Sequence, residues 1–142
     1  MLKAAAVISL LVAAPATAAD VTVTVKGVKA KGGTVLVGLW NEDTFMRAEP
    51  VFNAEADGTK DGEVTVELKN VPPGDYAVNA FHDADDDRRL KMVDGRMAEG
   101  SALSNADALR GPPSFAVNKV TIPTGGTKIV VNMSYPEDRA GW

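Results

Sequence analysis

The chain has 142 residues, of which 24% are charged and 45% hydrophobic, and its formal net charge is −4 at pH 7. This length and composition indicate one globular domain rather than a disordered chain. Because the chain contains no cysteine, disulfides, a thiol nucleophile and a lipid anchor on cysteine are excluded, and the acidic balance disfavours nucleic acid as a partner.

The chain opens with a segment typical of a secretory leader. Lys3 gives it a positive start, an apolar core follows, and residues 16–19 offer the small side chains of a cleavage site. The alternative, a membrane anchor, needs an apolar run of roughly 20 residues, whereas this run is shorter and Pro15 interrupts its end. We predict a Sec-type signal peptide at residues 1–19 and one mature domain at residues 20–142. Loss of Lys3 changes the formal net charge from −4 to −5.

Alternation of hydrophobic and polar residues with a period of two dominates the first half of the mature chain. It predicts strands, with a weaker edge strand among them, at residues 21–27, 33–40, 50–54, 63–71 and 75–82. A Lys-Gly-Gly turn separates the first two strands, which we therefore expect to form a hairpin.

The second half of the chain continues the pattern more sparsely. Strands are predicted at residues 114–122 and 127–135, paired as a hairpin across the Pro-Thr-Gly-Gly sequence between them. Residues 104–109 indicate a short helical turn, with Ser104 or Asn105 as its cap.

The predicted fold is all-β, an antiparallel β-sandwich of the immunoglobulin or prealbumin type with about seven strands. A closed barrel is the alternative, because both architectures bury one face of each strand. Two long loops, residues 41–62 and 83–113, are expected to lie at the rim, where functional residues often cluster.

The second long loop begins with aspartates at calcium-ligand spacing. Asp83, Asp85 and Asp87 occupy positions 1, 3 and 5 of a twelve-residue frame that ends at Asp94, and the carbonyl of Arg89 falls at position 7. Alternate residues of such a tight turn point oxygen atoms at one centre. The spacing predicts calcium as the candidate cofactor, with these five residues as ligands.

The same frame departs from a calcium loop at three positions. Position 12 is Asp94 instead of the longer glutamate that binds calcium through both oxygen atoms. Position 6 normally requires glycine, because the backbone there has a positive φ, and Arg88 would cost about 1 kcal/mol in that conformation. Position 9 is Lys91, a cation where a ligand is expected. Two alternatives therefore stay open: Arg88, Arg89 and Lys91 neutralise the aspartates internally, or the loop is simply solvated.

The segment at residues 70–122 contains YAVNAFHD, the acidic loop and the sequence PPSF in succession. In this order it resembles an uncharacterised bacterial family, domain of unknown function 2141. The resemblance implies a secreted β-sandwich and assigns no activity. Arg88 and Lys91 depart from the family's loop glycine and aspartate. The matching residues are Pro73, Gly74, Tyr76, Ala77, Val78, Phe81, His82, Asp83, Asp85, Asp87, Leu90, Gly95, Glu99, Gly100, Ser104, Asn105, Pro112, Pro113 and Phe115.

Three functions are compatible with these residues. Our first hypothesis is a non-enzymatic binding or accessory module of the periplasm or the secreted fraction, not inserted in the membrane. Its candidate binding residues are His82, Asp83, Glu99, Ser104 and Asn105. The second is a hydrolase-type enzyme that uses His82, Asp83 and Glu99. The third is an envelope subunit that pairs through a sheet edge.

The expected partner is an envelope protein, a peptide or a glycan. Trp40 and Phe45 begin the first long loop, and several methionines lie in the loops. An aromatic and methionine rim of this kind can hold a peptide or a glycan. It can equally seal the end of the sandwich.

Overall fold

The computed structural model describes residues 18–89, 92–94 and 96–139. The predicted signal peptide lies almost wholly outside these residues, as do Leu90, Lys91 and Gly95 of the acidic loop. The strands are β1 (Ala19–Val28), β2 (Thr34–Trp40), β3 (Phe52–Asp57), β4 (Gly62–Val71), β5 (Gly74–Asp83), β6 (Met92–Val93), β7 (Arg96–Met97), β8 (Ser101–Leu103), β9 (Lys119–Ile122) and β10 (Thr127–Asn132). The helical segments are two 3-10 turns, Ala106–Ala108 and Pro136–Arg139, and a short helix α1, Phe115–Asn118.

The strands form two main sheets. The first has the order β10-β1-β4, in which β1 runs parallel to β10 and antiparallel to β4. The second has the order β3-β2-β5-β8, and β9 also pairs with β5. Strands β6 and β7 form a separate short hairpin. These are the two layers of a sandwich, so the predicted all-β class is confirmed.

The core lies between the two sheets and consists mainly of aliphatic side chains from alternate strand positions. Because successive side chains of a strand point to opposite faces, each strand contributes one of its faces to the core, and β1 and β2 lie at its centre. The central members are Val21, Val23, Val25, Val35, Val37 and Leu39, all at most 2% exposed. Strands β4, β5 and β10 complete the core with Val66, Leu68, Val78 and Val131.

Both predicted hairpins are wrong. Strand β1 lies in the first sheet and β2 in the second, and β9 and β10 are divided in the same way. In both cases the two consecutive strands face each other across the core, each in its own sheet, instead of being hydrogen-bonded neighbours in one sheet. Glycine turns permit either connection, so local turn chemistry did not decide between them.

Residues 114–118 were predicted as the start of a strand and form the helix α1 instead. Ser114 caps it, because its side chain accepts a hydrogen bond from the N–H of Val117. Asn118 is fully buried, and its side-chain amide donates to the carbonyl of Ser104. These side-chain hydrogen bonds to the backbone compete with strand pairing.

The predicted helical turn is present as the 3-10 segment Ala106–Ala108. Asn105 occupies the position before it but makes no capping hydrogen bond with its side chain. In the described part of the chain, no helix has the length and hydrophobicity needed to cross a bilayer.

Candidate functional site

The acidic loop leaves the sandwich at the end of β5. Asp83 is the last residue of that strand and is paired with Thr34 at the start of β2. The preceding residue, Gly33, has a φ of 66°, and a Cβ atom there would lie 2.0 Å from the carbonyl oxygen of Asp83. The Gly-Gly turn before β2 therefore lets the base of the loop pack closely on the sheet.

Four carboxylates converge at this base. One oxygen atom from each of Asp83, Asp85, Asp87 and Glu99 lies within 4.8 Å of the corresponding atoms of the other three. Calcium binds oxygen at about 2.3–2.6 Å, so two ligands of one ion are at most about 4.6–5.2 Å apart. The four residues, which we call the acid cluster, are thus close enough to share one calcium ion.

Asp83 and Glu99 are the buried members of the acid cluster. Asp83 is 0% exposed and Glu99 is 9% exposed. Oδ2 of Asp83 accepts a hydrogen bond of 2.9 Å from the backbone N–H of Arg88, whereas Oδ1 has no hydrogen-bond partner among the described residues. A buried carboxylate requires compensation by hydrogen bonds, by a counter-charge or by a metal ion.

The loop backbone has, at position 6 of the frame, the positive φ that calcium loops show there. Arg88, at position 6, has a φ of 60° even though it is not glycine. The backbone N–H of Arg89 donates to Oδ1 of Asp87 at 2.9 Å, and Thr34 on β2 donates its hydroxyl to Asp86 at 2.7 Å. The loop is therefore turned tightly around the aspartates and attached to the sheet.

The side chain of Arg88 is paired outside the acid cluster. Its guanidinium group binds both carboxylate oxygens of Glu55 on β3, one of them at 3.3 Å. This pairing lowers the pKa of Glu55 and raises the pKa of Arg88. Of the three cations predicted to neutralise the aspartates, Arg88 thus pairs primarily with Glu55, while Lys91 lies outside the described residues.

Of the predicted metal ligands, Asp94 lies elsewhere, and the carbonyl of Arg89 stays a prediction. Asp94 is exposed between β6 and β7 and does not belong to the acid cluster. Arg89 contributes its N–H group to Asp87, as described above. Glu99, predicted as a binding residue only, joins the aspartates after the β6–β7 hairpin, and no local spacing in the sequence could have indicated this.

His82 is anchored in the core beside the acid cluster. It is 1% exposed, and its Nε2 lies 2.6 Å from the carbonyl oxygen of Gly32. A carbonyl can only accept, so Nε2 carries the proton and Nδ1 accepts from the hydroxyl of Tyr135 at 2.7 Å. That hydroxyl in turn accepts from the backbone N–H of Lys29 at 2.8 Å. Both ring nitrogens of His82 are therefore engaged in structural hydrogen bonds.

Ser104 and Asn105 lie away from the acid cluster. Ser104 is buried, and its hydroxyl accepts from the N–H of Val78 at 2.9 Å. Val78 is five residues before Asp83, or roughly 16 Å along an extended strand. Asn105 donates its amide to the carbonyls of Val117 and Lys119. The structure thus brings Glu99 to Asp83 but places these two residues at the junction with α1.

The chain was compared with protein families, curated proteins and solved structures. The family described as an uncharacterized protein conserved in bacteria (DUF2141) matches residues 23–130. No curated protein and no solved structure matches the chain. The matched range extends from β1 into β10 and includes the whole acidic loop. The chain therefore belongs to the bacterial family of domain of unknown function 2141.

Proposed function

We propose that this protein is an exported, non-enzymatic binding module whose acid cluster holds a calcium ion. The observation that carries the proposal is the convergence of four carboxylates on one point, together with the buried Asp83, whose Oδ1 has no hydrogen-bond partner in the described part of the chain. A divalent cation at this point compensates the buried charge.

The donor set favours calcium among the common metal ions. All four side chains offer oxygen, which suits hard cations, whereas zinc and copper sites usually include histidine or cysteine. Calcium accepts irregular geometry with six to eight oxygen ligands. The aspartate spacing, the positive φ of Arg88 and the added carboxylate of Glu99 all fit this type of site.

The same geometry weighs against the hydrolase alternative. A general base must reach the proton that it removes, and both nitrogens of His82 are occupied by Gly32 and Tyr135 in the core. His82, the base that the hydrolase would need, therefore serves to hold the strands together.

The location and the partner remain part of the proposal. The leader at residues 1–19 supports export to the periplasm or the medium, and the mature domain would meet an envelope protein, a peptide or a glycan there. Pairing through a sheet edge stays a prediction; β10 and β4 are the edge strands of the first sheet.

Thermal unfolding of the mature chain tests the calcium site. We expect the midpoint to rise when calcium is added and to return to its starting value with a chelator. A ligand at a hundred times its dissociation constant stabilises the folded state by about 2.7 kcal/mol. Magnesium serves as the control for general ionic effects, since it demands a tighter octahedral site. An unchanged midpoint at millimolar calcium contradicts the proposal.

A further inference from the structure

A groove crosses the outer face of the second sheet next to the acid cluster. Its volume is about 290 Å³, near the lower end of the roughly 300–1,000 Å³ that is usual for small-molecule sites. Gly38 of β2 lines the groove, and a Cβ atom there would lie 2.7 Å from both Oδ1 of Asn79 and Cγ of Pro50. We call this feature the sheet groove; its size suits a ligand of about one sugar unit.

The sheet groove combines an apolar floor with planar polar groups. In the strand register, Leu36 lies beside Phe81, and Gly38 lies between Asn53 and Asn79. Oδ1 of Asn79 is buried with no hydrogen-bond partner among the residues that the structure describes. Amide groups both donate to and accept from hydroxyls, and an aromatic ring packs against the apolar face of a sugar ring.

The charges around the sheet groove favour an uncharged ligand. Arg88 and Glu55 form an ion pair at one wall, and Glu49 adds a further carboxylate to the lining. An anionic ligand would therefore be repelled, whereas a neutral ligand rich in hydroxyl groups would not.

Arg88 connects the sheet groove to the acid cluster. Its backbone N–H holds Asp83 at 2.9 Å, and its guanidinium group forms the groove wall with Glu55. Phe81 precedes Asp83 by two residues and faces the same side of β5, which places them roughly 7 Å apart. Calcium accepts six to eight oxygens, so the four carboxylates leave room for a hydroxyl of a ligand that lies on Phe81.

We infer that the sheet groove binds a neutral sugar and that calcium in the acid cluster strengthens this binding. The inference rests on the proposed calcium site. Calcium fixes the loop that carries Arg88, and thereby one wall of the groove, before the ligand arrives. Calcium binding then supplies the free energy of ordering this wall, so that the ordering does not weaken ligand binding.

Saturation-transfer difference NMR with the mature chain tests the inference. The probes are the methyl glycosides of glucose, galactose, mannose and N-acetylglucosamine, each measured with calcium and with a chelator. We expect at least one glycoside to give a signal in calcium and its affinity to fall several-fold in chelator. An equal affinity in the two conditions overturns the coupling to calcium.

Two substitutions locate the binding. Phe81→Leu keeps apolar bulk but removes the ring, and we expect about tenfold weaker binding, since aromatic contacts contribute up to about 1.5 kcal/mol. Asn53→Ala removes an exposed amide without touching the core, and it should weaken binding as well. Phe115→Leu is the matched control, because that ring packs on Phe45 outside the groove. Equal losses in the Phe81 and Phe115 variants overturn the assignment to the groove.

Thermal unfolding of the same samples separates the two proposals. A calcium-induced rise in the midpoint without any glycoside signal overturns the sugar inference and leaves the calcium site standing. The absence of both overturns the calcium site and, with it, the inference that rests on it.

Discussion

Two groups of carboxylates lie at the loops of this sandwich, and they differ in how deeply their members are buried. Near the C-terminus, Glu137 and Asp138 are exposed, and Nζ of Lys29 lies 3.1 Å and 2.9 Å from them. Nζ of Lys31 adds a contact of 2.6 Å to Glu137. In the acid cluster, Asp83 is fully buried and accepts a hydrogen bond from the backbone N–H group of Arg88.

Residue type alone does not distinguish the proposed cation site from the C-terminal pair, whereas burial does. Lysines from the segment between β1 and β2 neutralise the C-terminal pair in water, where no further ion is needed. Pairing with a lysine is less favourable for the buried Asp83, because the lysine would have to be desolvated along with it. A small divalent ion with several carboxylate ligands would compensate the buried charge better than a lysine.

The largest expected effect is the loss of the calcium response in Asp83→Asn. The substitution keeps the shape of the side chain and removes one charge from the buried side of the acid cluster. We expect the calcium-dependent stabilisation, about 2.7 kcal/mol at a hundred times the dissociation constant of the native site, to disappear from thermal unfolding curves.

Glu137→Gln is the matched control for this experiment. It removes one carboxylate from the exposed pair and should leave the calcium response intact. A response that survives in Asp83→Asn, or that is lost in both variants, contradicts the distinction between the two groups.

Tyr135→Phe should have the next largest effect. Its hydroxyl group makes hydrogen bonds to the ring of His82 and to the backbone N–H of Lys29. His82 is the residue before Asp83 of the acid cluster, and the side chain of Lys29 contacts the C-terminal pair. Loss of the hydroxyl leaves the buried Nδ1 of His82 and the part-buried N–H of Lys29 unsatisfied, which costs about 2 kcal/mol in the free energy of unfolding, measured in urea. The calcium response should persist.

Tyr76→Phe is the control for the tyrosine substitution. The Tyr76 hydroxyl donates to a single acceptor, the carbonyl of Pro72, at 2.9 Å. We expect its loss to cost about 1 kcal/mol. Equal costs in the two variants would argue against a special role for the His82–Tyr135–Lys29 chain.

Arg88→Gly tests the backbone conformation of the calcium frame. Glycine adopts a positive φ without strain, whereas alanine does not. At saturating calcium, the free energy of unfolding of Arg88→Gly should therefore be about 1 kcal/mol higher than that of Arg88→Ala. Both variants remove the same positive charge, and calcium titration should show stronger binding than in the native protein for each. If the glycine and alanine variants are equally stable, the positive φ of Arg88 carries no cost in the folded protein.

The smallest effect concerns the pH dependence of the C-terminal pair. The bond to Lys31 is the main reason that the pKa of Glu137 falls to about 2, from an ordinary value of 4.5. Because the pKa is lower in the folded state, the ion pair stabilises fully above about pH 4.5, and this contribution is lost as the pH falls towards 2.

Comparison of thermal midpoints for the native protein and Glu137→Gln isolates this contribution. The difference between them should shrink as the pH falls from about 4.5 to 2, and it should be small because the groups are exposed. A difference that stays constant over this range contradicts the role of the Lys31 contact.

The long strands and the position of the acidic loop were predictable from local patterns, whereas the short strands β6, β7 and β8 lie within a predicted loop. Alternation marks one face of each strand as apolar, as in Val21, Val23 and Val25, and this pattern survives any arrangement of the strands. The spacing of Asp83, Asp85 and Asp87 likewise depends only on neighbouring residues. The segment at 114–118 was not predictable in this way, because the buried amide of Asn118 binds Ser104, fourteen residues earlier.

The sequence by itself determined that this protein is an all-β chain with an aspartate-rich turn at the end of a strand, since both properties follow from interactions over a few residues. Only the tertiary structure decided which strands share a sheet, that Glu99 joins Asp83, and that Tyr135 holds His82. These contacts join residues far apart in the chain, and their choice depends on which arrangement buries the most apolar surface while satisfying the buried polar groups.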